Sequence, residues 1–474
     1  MSALINWVNV QPFLLYFSAL LYSVPLLFPY CFWWVTFLVP PFFLYSVRTI
    51  KPTFFKGFIW GALVVLGYSS SFLVGIFSLL RSAYVYRCIV VCVIVCILAA
   101  WSGIWFWGMH YMLPTQTHKY GKIWLWGVTL WVYLCWMEYG CLVVCGRFEG
   151  VCIANLLVPL IQCPSLLYFA PTIGVPGLLG ALVLSGIAGV LYCLRPTWHG
   201  LVLLCVGIFF WLSGFLIYRI ETHQDAAYCD TGYYDTADRD QRTIQHNVWT
   251  RDVRVIPERF QERGVPFATA HAIRDAIHAC IRCNPEVKII IFPESAVVDP
   301  QAMILFEQLW QQETWAQRVH VFVGSFSWQG AQYCNTVYWL YNRRVQRKIH
   351  KNHASPLTER MPFVGASCGL QRLFFCRSPE INPMVDIPRE MCWFDELKLS
   401  GVPYICSELF FNNQPHDDHA ATIIALCNDV WVSERGAQHM YRCAQFKALL
   451  WQRDIVYCTY RHHAFLRRQR LLGL

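Results

Sequence analysis

Seven stretches of this chain, at about 11–28, 30–46, 57–80, 87–112, 123–146, 172–194 and 199–218, are each apolar over close to the twenty residues that a helix needs to cross a bilayer core. No water-soluble fold accommodates seven such stretches in its first 220 residues, so the sequence predicts a multi-span helical membrane domain over 1–220. The first two stretches are separated only by Pro29-Tyr30, and a hairpin that just reaches the far side is the alternative there. The N-terminus lacks a short basic segment followed by a small-residue cleavage site, which predicts that the first stretch stays as a span.

Charge is divided as unevenly as hydrophobicity. Residues 1–220 carry ten Lys and Arg against two acids, Glu138 and Glu149, whereas residues 221–474 carry 28 against 27. The formal excess of +9 therefore sits in the apolar half and its loops, which speaks for membrane topology and against nucleic-acid binding. With the N-terminus inside, the inner loops collect Arg48, Lys51, Lys56, Lys119, Lys122 and Arg195 against Arg81, Arg87 and Arg147 outside. That positive-inside bias and seven crossings place everything after Arg219 outside the cytoplasm.

Between the fifth and sixth stretches, Glu138 to Gly174 is apolar yet broken by Gly140, Gly146, Gly150, Pro159, Pro164 and Pro171. Irregular backbone at membrane depth is tolerated only against protein or a cavity. Glu138 then has two readings, a group at the interface or one in a polar cavity that binds substrate. The 22 cysteines divide eleven and eleven across residue 220, and an odd set in the second half fits no complete disulfide framework. Cys280-Ile281-Arg282-Cys283 has metal or redox spacing but no companion pair or His cluster, so it reads as helix packing, and no metal site or cofactor is expected.

From Glu221 the composition turns polar: 221–240 reads as a linker and 241–474 as a second domain. Short apolar runs at 287–292, 319–326, 336–341, 402–406 and 420–426 predict strands, and the patterns at 302–315 and 436–451 predict helices. Strands alternating with helices over some 250 residues argue for an α/β or layered α+β domain.

Three places in that domain put reactive groups just after a strand or in a loop. An apolar strand breaks at Pro293 and presents Glu294; the run Lys348–Pro362 offers Lys351, His353 and Glu359; and Gly401–Phe411 delivers Cys406 to a strand end, where a sharp turn is expected to expose it, with Ser407 and Glu408 following. A carboxylate, an ammonium and a thiol suffice for acyl transfer, as base, oxyanion stabiliser and nucleophile.

In this order and with these neighbours the three resemble the Glu-Lys-Cys triad of the nitrilase (carbon-nitrogen hydrolase) superfamily. Gln245-His246-Asn247 looks like that family's first-strand Q-x-N, and Gly324 and Asn335 fall at its strand-end Gly and Asn. Lys351-Asn352-His353 with Pro356 and Glu359 keeps the spacing of K-x-H-L-V-P-F-G-E, and Asn428-Asp429-Val430-Trp431 looks like N-D-x-W, with Gln438-His439 after it. A nitrilase-like domain behind seven spans is most similar to the apolipoprotein N-acyltransferase family, whose broken membrane segment Trp131–Gly174 resembles. The chain departs from that family at Ser407, at Leu357-Thr358 and Arg360, at Val432-Ser433, at Lys447–Leu450 and at Tyr460, and it ends at Leu474, before the family's further strands and last span.

The resemblance implies an αββα sandwich on the outer face of a bacterial inner membrane. It implies that a fatty acyl chain passes from a phospholipid, through a Cys406 thioester, to the N-terminal amine of a diacylglyceryl-cysteine apolipoprotein. Glu359 and Glu408 are then supporting groups, and Ser407 and Trp431 line the substrate pocket. Two other classes stay open: a membrane-tethered amidase that uses water, and a degenerate scaffold that binds lipid or lipoprotein without turnover.

Overall fold

The computed structural model describes residues 7–47, 51, 53–79, 84–112, 119–139, 155–194, 196–231, 269–329, 332–352, 399–410, 422–430 and 432–466, with the short strands Leu142–Val144, Arg147–Glu149, Val253–Val255 and Cys392–Phe394. The seven apolar stretches fall on helix, the fifth only as far as Tyr139. They are α1 (Trp7–Leu27), the interrupted segment α2 (Pro29–Phe32), 3-10 turn (Trp33–Leu38) and α3 (Val39–Val47), then α4 (Phe54–Leu79), α5 (Tyr84–Met112), α6 (Lys119–Tyr139), α7 (Ala170–Leu194) and α8 (Trp198–Thr231). Among the described residues, Pro29–Val47, Ala170–Leu194 and Trp198–Ile217 are long and apolar enough to cross a membrane, and Phe13–Leu27 and Phe54–Gly67 are apolar but shorter.

Two sequence expectations shift here. The fifth stretch does not remain helical to residue 146: α6 ends at Tyr139, and β1 (Leu142–Val144) pairs antiparallel with β2 (Arg147–Glu149). In the sequence Gly140 follows the last residue of α6, and glycine is poor at holding a helix. The chain then runs through the 3-10 turns Val158–Gln162 and Pro164–Leu167 into α7, which kinks where Gly174 takes φ 68° ahead of Pro176. At the other boundary, α8 continues through Thr231, so the first part of the expected linker is helical.

The second half forms two five-stranded sheets. One has the order β3 (Val253–Val255), β4 (Ile289–Ile291), β5 (His320–Gln329), β6 (Gln332–Tyr341), β7 (Arg344–His350), parallel from β3 to β5 and antiparallel beyond. The other has the order β12 (His463–Leu466), β11 (Asp454–Cys458), β10 (Thr422–Leu426), β9 (Leu399–Ile405), β8 (Cys392–Phe394), with a parallel centre and antiparallel edges. The sheets pack face to face through Ile289, Ile291, Phe322, Val337 and Trp339 on one side and Ile405, Ile424, Leu426 and Val456 on the other. These strands read as continuous apolar runs because both of their faces are covered.

Helices close both outer faces. On the first sheet lie α9 (Ala270–Cys283), capped by the Thr269 hydroxyl, and α10 (Pro300–Gln312), capped by the Asp299 carboxylate with Pro300 at its first position. On the second lies α11 (Glu434–Trp451), whose Ser433 hydroxyl accepts the Gly436 N–H at 3.2 Å. The result is an αββα sandwich. Cys280 and Cys283 sit in the last turn of α9, half-buried and exposed, as packing and surface residues. The apolar core of α11 runs without a break into the helical bundle: Met440, Phe446 and Leu449 share one cluster with Leu160, Leu178 and Leu182.

His320, at the start of β5, is buried at 3% exposure against Tyr341, Phe394 and Trp339, whose indole N–H donates to its Nδ1 at 3.2 Å. Burial holds this imidazole down to about 4. The unfolded chain, at about 6.5, therefore binds a proton that the folded one refuses, and the contribution to stability is complete above 6.5 and lost as pH falls toward 4. The gap corresponds to roughly 3 kcal/mol. Thermal unfolding at pH 7 and pH 4.5 should show His320→Asn less stable than the parent at pH 7, with the difference narrowing by most of that amount at pH 4.5; a pH-independent difference would remove His320 as a titrating core group.

Candidate active site

Glu294, Lys351 and Cys406 lie at the carboxyl ends of β4, β7 and β9, where the sandwich brings the two sheets' strand ends together. All three are buried. The Lys351 ammonium donates to Glu294 Oε1 at 3.2 Å, and the same oxygen accepts the Asn335 amide N–H at 2.7 Å. The Lys351 main-chain N–H donates to the Asn335 carbonyl at 2.9 Å, so one residue of β6 fixes both members of the ion pair.

The local backbone explains how Glu294 reaches this point. Pro293 ends β4, and Ser295 takes φ 57°, turning the chain sharply. Gly324 lies directly beneath: a Cβ there would run into the Pro293 carbonyl and stand 2.7 Å from Glu294 Cα. Its own carbonyl accepts the Val297 N–H at 3.1 Å. From the other sheet, the Tyr460 hydroxyl donates to the Ser295 carbonyl at 2.8 Å. Tyr460, one of the departures from the family pattern, thus anchors the Glu294 turn.

Cys406 follows β9 directly and opens the 3-10 turn Cys406–Leu409 at φ 50°, a left-handed elbow that L residues occupy only when the surroundings hold them there. The turn is as sharp as expected, but the thiol is 5% exposed rather than open to solvent. The reason is packing: Cys406 itself lies in the core between the sheets, with Ile291 and Phe322 facing it, and Leu409 and Phe410 are drawn into the apolar cluster shared by its own sheet, α11 and the helical bundle. Burial pushes the Cys406 thiol well above its usual range and the Glu294 carboxylate beside it pushes the same way, while Lys351 and the Asn428 backbone N–H oppose them. Cys406 rests as a neutral thiol beside the Glu294–Lys351 ion pair.

Glu408 does more for the main chain than sequence suggested. Its Oε1 accepts the Asn352 N–H at 2.6 Å and its Oε2 the Ile405 N–H at 2.8 Å. One buried carboxylate thus ties the residue after Lys351 to the residue before Cys406. The Asn428-Asp429 turn forms a neighbouring wall, where Asp429 accepts the Thr459 hydroxyl at 2.7 Å and burial pushes its carboxyl up. Cys427, next to Asn428, places its sulfur 3.8 Å from the Cys406 carbonyl.

Of the other residues singled out from sequence, Glu359, Trp431, His353, Pro356 and Gln245–Asn247 lie outside the described residues. Ser407 belongs to the 3-10 turn and Glu138 to the last turn of α6, and the side chains of both lie outside the description. Asn335 and Gly324 entered the sequence reading only as pattern matches, although the first bonds the site directly and the second makes room for it. Among the described residues no group of His, Cys, Asp and Glu is spaced to hold a metal ion.

No family model matches the chain, and no curated protein does. Solved structures of nitrilase-superfamily proteins are similar to it. A glutamine-dependent NAD+ synthetase from Acinetobacter baumannii is 13% identical over 41% of this chain and 36% of its own, with a TM-score of 0.30. The Saccharomyces cerevisiae nitrilase-superfamily protein Nit3 is 14% identical over 40% and 69%, and a carbon-nitrogen hydrolase from Helicobacter pylori is 11% identical over 41% and 70%, both with a TM-score of 0.29. The chain spans about a third of the length of the synthetase. At such scores the reading of the site rests on the chain's own residues.

Removing the Glu408 carboxylate should leave two buried N–H groups without acceptors, each costing about 1–3 kcal/mol. Glu408→Ala should therefore lower the unfolding free energy by roughly 2–5 kcal/mol, with Glu408→Gln, which keeps one acceptor oxygen, losing about half of that. Equal stability of Glu408→Ala and the parent in denaturant titrations would show that the bridge does not hold the site.

Proposed function

We propose that the protein is a membrane-embedded acyltransferase of nitrilase type. In this reading it carries a fatty acyl chain from a phospholipid, through a thioester on Cys406, to the N-terminal amine of a diacylglyceryl-cysteine apolipoprotein on the outer face of a bacterial inner membrane. The observation that carries the reading is the neutral Cys406 thiol on a strained elbow beside the buried Glu294–Lys351 pair, with the following turn packed into the apolar core of the helical bundle.

The chemistry follows from those positions. As Cys406 sulfur attacks the donor ester carbonyl, its proton passes to the Glu294 carboxylate. The oxyanion of the tetrahedral intermediate forms beside the Lys351 ammonium. Collapse breaks the ester C–O bond, and Glu294 returns the proton to the departing lysolipid alkoxide. In the second half the acceptor amine attacks the thioester and gives a proton to Glu294; the C–S bond breaks, and the proton returns to sulfur. Asn335 holds the carboxylate in place through both halves.

A lipid donor is supported by the outward face of α8, where Val206, Phe209, Leu212 and Leu216 are each more than half exposed. It is supported also by the apolar cluster that Leu409 and Phe410 share with the bundle, which offers an acyl chain a route that does not cross water. A tethered amidase would use the same first half and water in the second; acceptor-dependent release of label from acylated Cys406 separates the two.

Single-turnover acylation from a labelled phospholipid, read by mass spectrometry of intact protein, tests the assignment. Cys406→Ala should carry no adduct, and Glu294→Gln should slow both half-reactions. Lys351→Met should slow acylation by about 10²–10³ with lipid binding nearly intact, and Lys351→Arg should not rescue it. Normal acylation in Lys351→Met would sink the mechanism. For topology, a reporter active only in the cytoplasm should be silent when fused after Asp240; activity there would overturn the outer placement.

A further inference from the structure

Helix α11 presents two arginines to the corner between α1 and α2. Arg435 stands over the ring of Phe28 with its guanidinium carbon 5.2 Å from the centroid, and Arg442 over Tyr30 at 4.5 Å. Two positions seven apart lie two turns along one side of a helix, so the pair forms a single cationic strip. The corner it faces is aromatic and open: Phe28, Tyr30, Phe32 and Trp34 are 45%, 66%, 41% and 47% exposed. Aromatic rings exposed between apolar helices mark the headgroup level of a bilayer.

Arg442 is only 4% exposed, and its Nε is buried with no hydrogen-bond partner among the described residues. Neither arginine has a carboxylate partner among those residues. An aromatic face offsets part of the cost of burying a guanidinium but leaves its donors unsatisfied. What satisfies such a fork is a group with several acceptor oxygens and negative charge, and phosphate matches its geometry.

We propose that Arg442 and Arg435 hold the phosphodiester of a membrane phospholipid at the α1–α2 corner, with the acyl chains lying against the exposed rings. The proposal rests on the membrane embedding of the bundle given above, and is independent of the chemistry at Cys406. Two cations with no paired acid among the described residues favour an anionic headgroup over one that brings its own quaternary ammonium.

The test uses the full-length protein, equilibrated in detergent micelles with equal parts of phosphatidylglycerol and phosphatidylcholine and then examined by native mass spectrometry. The parent should retain phosphatidylglycerol in preference, and Arg442→Met and Arg435→Met should each reduce retention about tenfold, as expected for loss of one charge-assisted contact. Arg442→Lys should fall between. Arg435 is exposed, so its replacement does not empty the core and decides the matter if Arg442→Met fails to fold. Retention unchanged in Arg435→Met would overturn the site, and so would full displacement of the lipid by millimolar inorganic phosphate, which would make free phosphate the ligand. Detergent phase separation of the parent distinguishes the underlying failure: a protein that stays in the aqueous phase overturns both the membrane reading and this one, whereas partition into detergent with unchanged lipid retention overturns the lipid site alone.

Discussion

A carboxylate and an ammonium buried 3.2 Å apart are the most demanding feature of this molecule. Removing each ion from water costs several kcal/mol even after relaxation, and the pair repays that only where geometry and further hydrogen bonds are supplied. Much of the second half can be read as that supply. Asn335 is positioned by the β5–β6–β7 antiparallel run so that its amide reaches Glu294 while its carbonyl takes the Lys351 N–H. Gly324 gives up a side chain so that the Glu294 turn can descend onto β5, and Tyr460 reaches across from the other sheet to hold it. The site closes across the sandwich, since Glu294 and Lys351 come from one sheet and Cys406 from the other. The packing of Ile291 and Phe322 against Ile405 and Leu426 is therefore also what assembles the reactive groups.

Burial decides the form of the Cys406 thiol. A cysteine at a helix N-terminus or beside an unpaired cation rests as thiolate; here desolvation and the Glu294 charge outweigh Lys351 and the Asn428 N–H, and the sulfur keeps its proton. Moving that proton from Cys406 to Glu294 leaves the charge of the cluster unchanged. Before transfer the cluster holds a carboxylate, an ammonium and a thiol; after it, a carboxylic acid, an ammonium and a thiolate. In a dry pocket a step that creates no net charge meets less electrostatic resistance than deprotonation to solvent. The strain at Cys406, with φ 50°, is the cost of aiming the sulfur at that pair, and Glu408 holds the elbow by binding the main chain on both sides.

How much of this was legible in the sequence follows from what each signal depends on. The strands at 287–292 and 402–406 announce themselves because strands buried on both faces are continuous apolar runs, and Glu294 and Cys406 are legible because they follow such runs. Strand β7, Arg344–His350, alternates polar and charged residues at the sheet edge and has no such run, so it went unread although it delivers Lys351. Asn335 gave no local signal, because its role depends on a register with β5 and β7 that one segment cannot encode. The buried thiol escapes for a similar reason: the turn is visible in Gly401–Phe411, but the cover over Cys406 comes from the facing sheet, through Ile291 and Phe322.

The two halves are joined through α11. Helix α11 buries Gly436, Ala437, Met440, Cys443, Ala444, Phe446, Ala448 and Leu449, more than one apolar stripe can account for, because it packs on β9–β11 with one side and on the bundle with the other. An isolated sandwich would leave the second side in water, with Arg442 embedded in it. Packing on the bundle covers that side chain, and the Arg435–Phe28 and Arg442–Tyr30 contacts tie α11 to the α1–α2 corner. The position of Cys406 relative to the bundle is thus set by a shared core rather than by the length of the 221–240 connection, which is what a thiol requires if its substrate is to stay in the apolar phase.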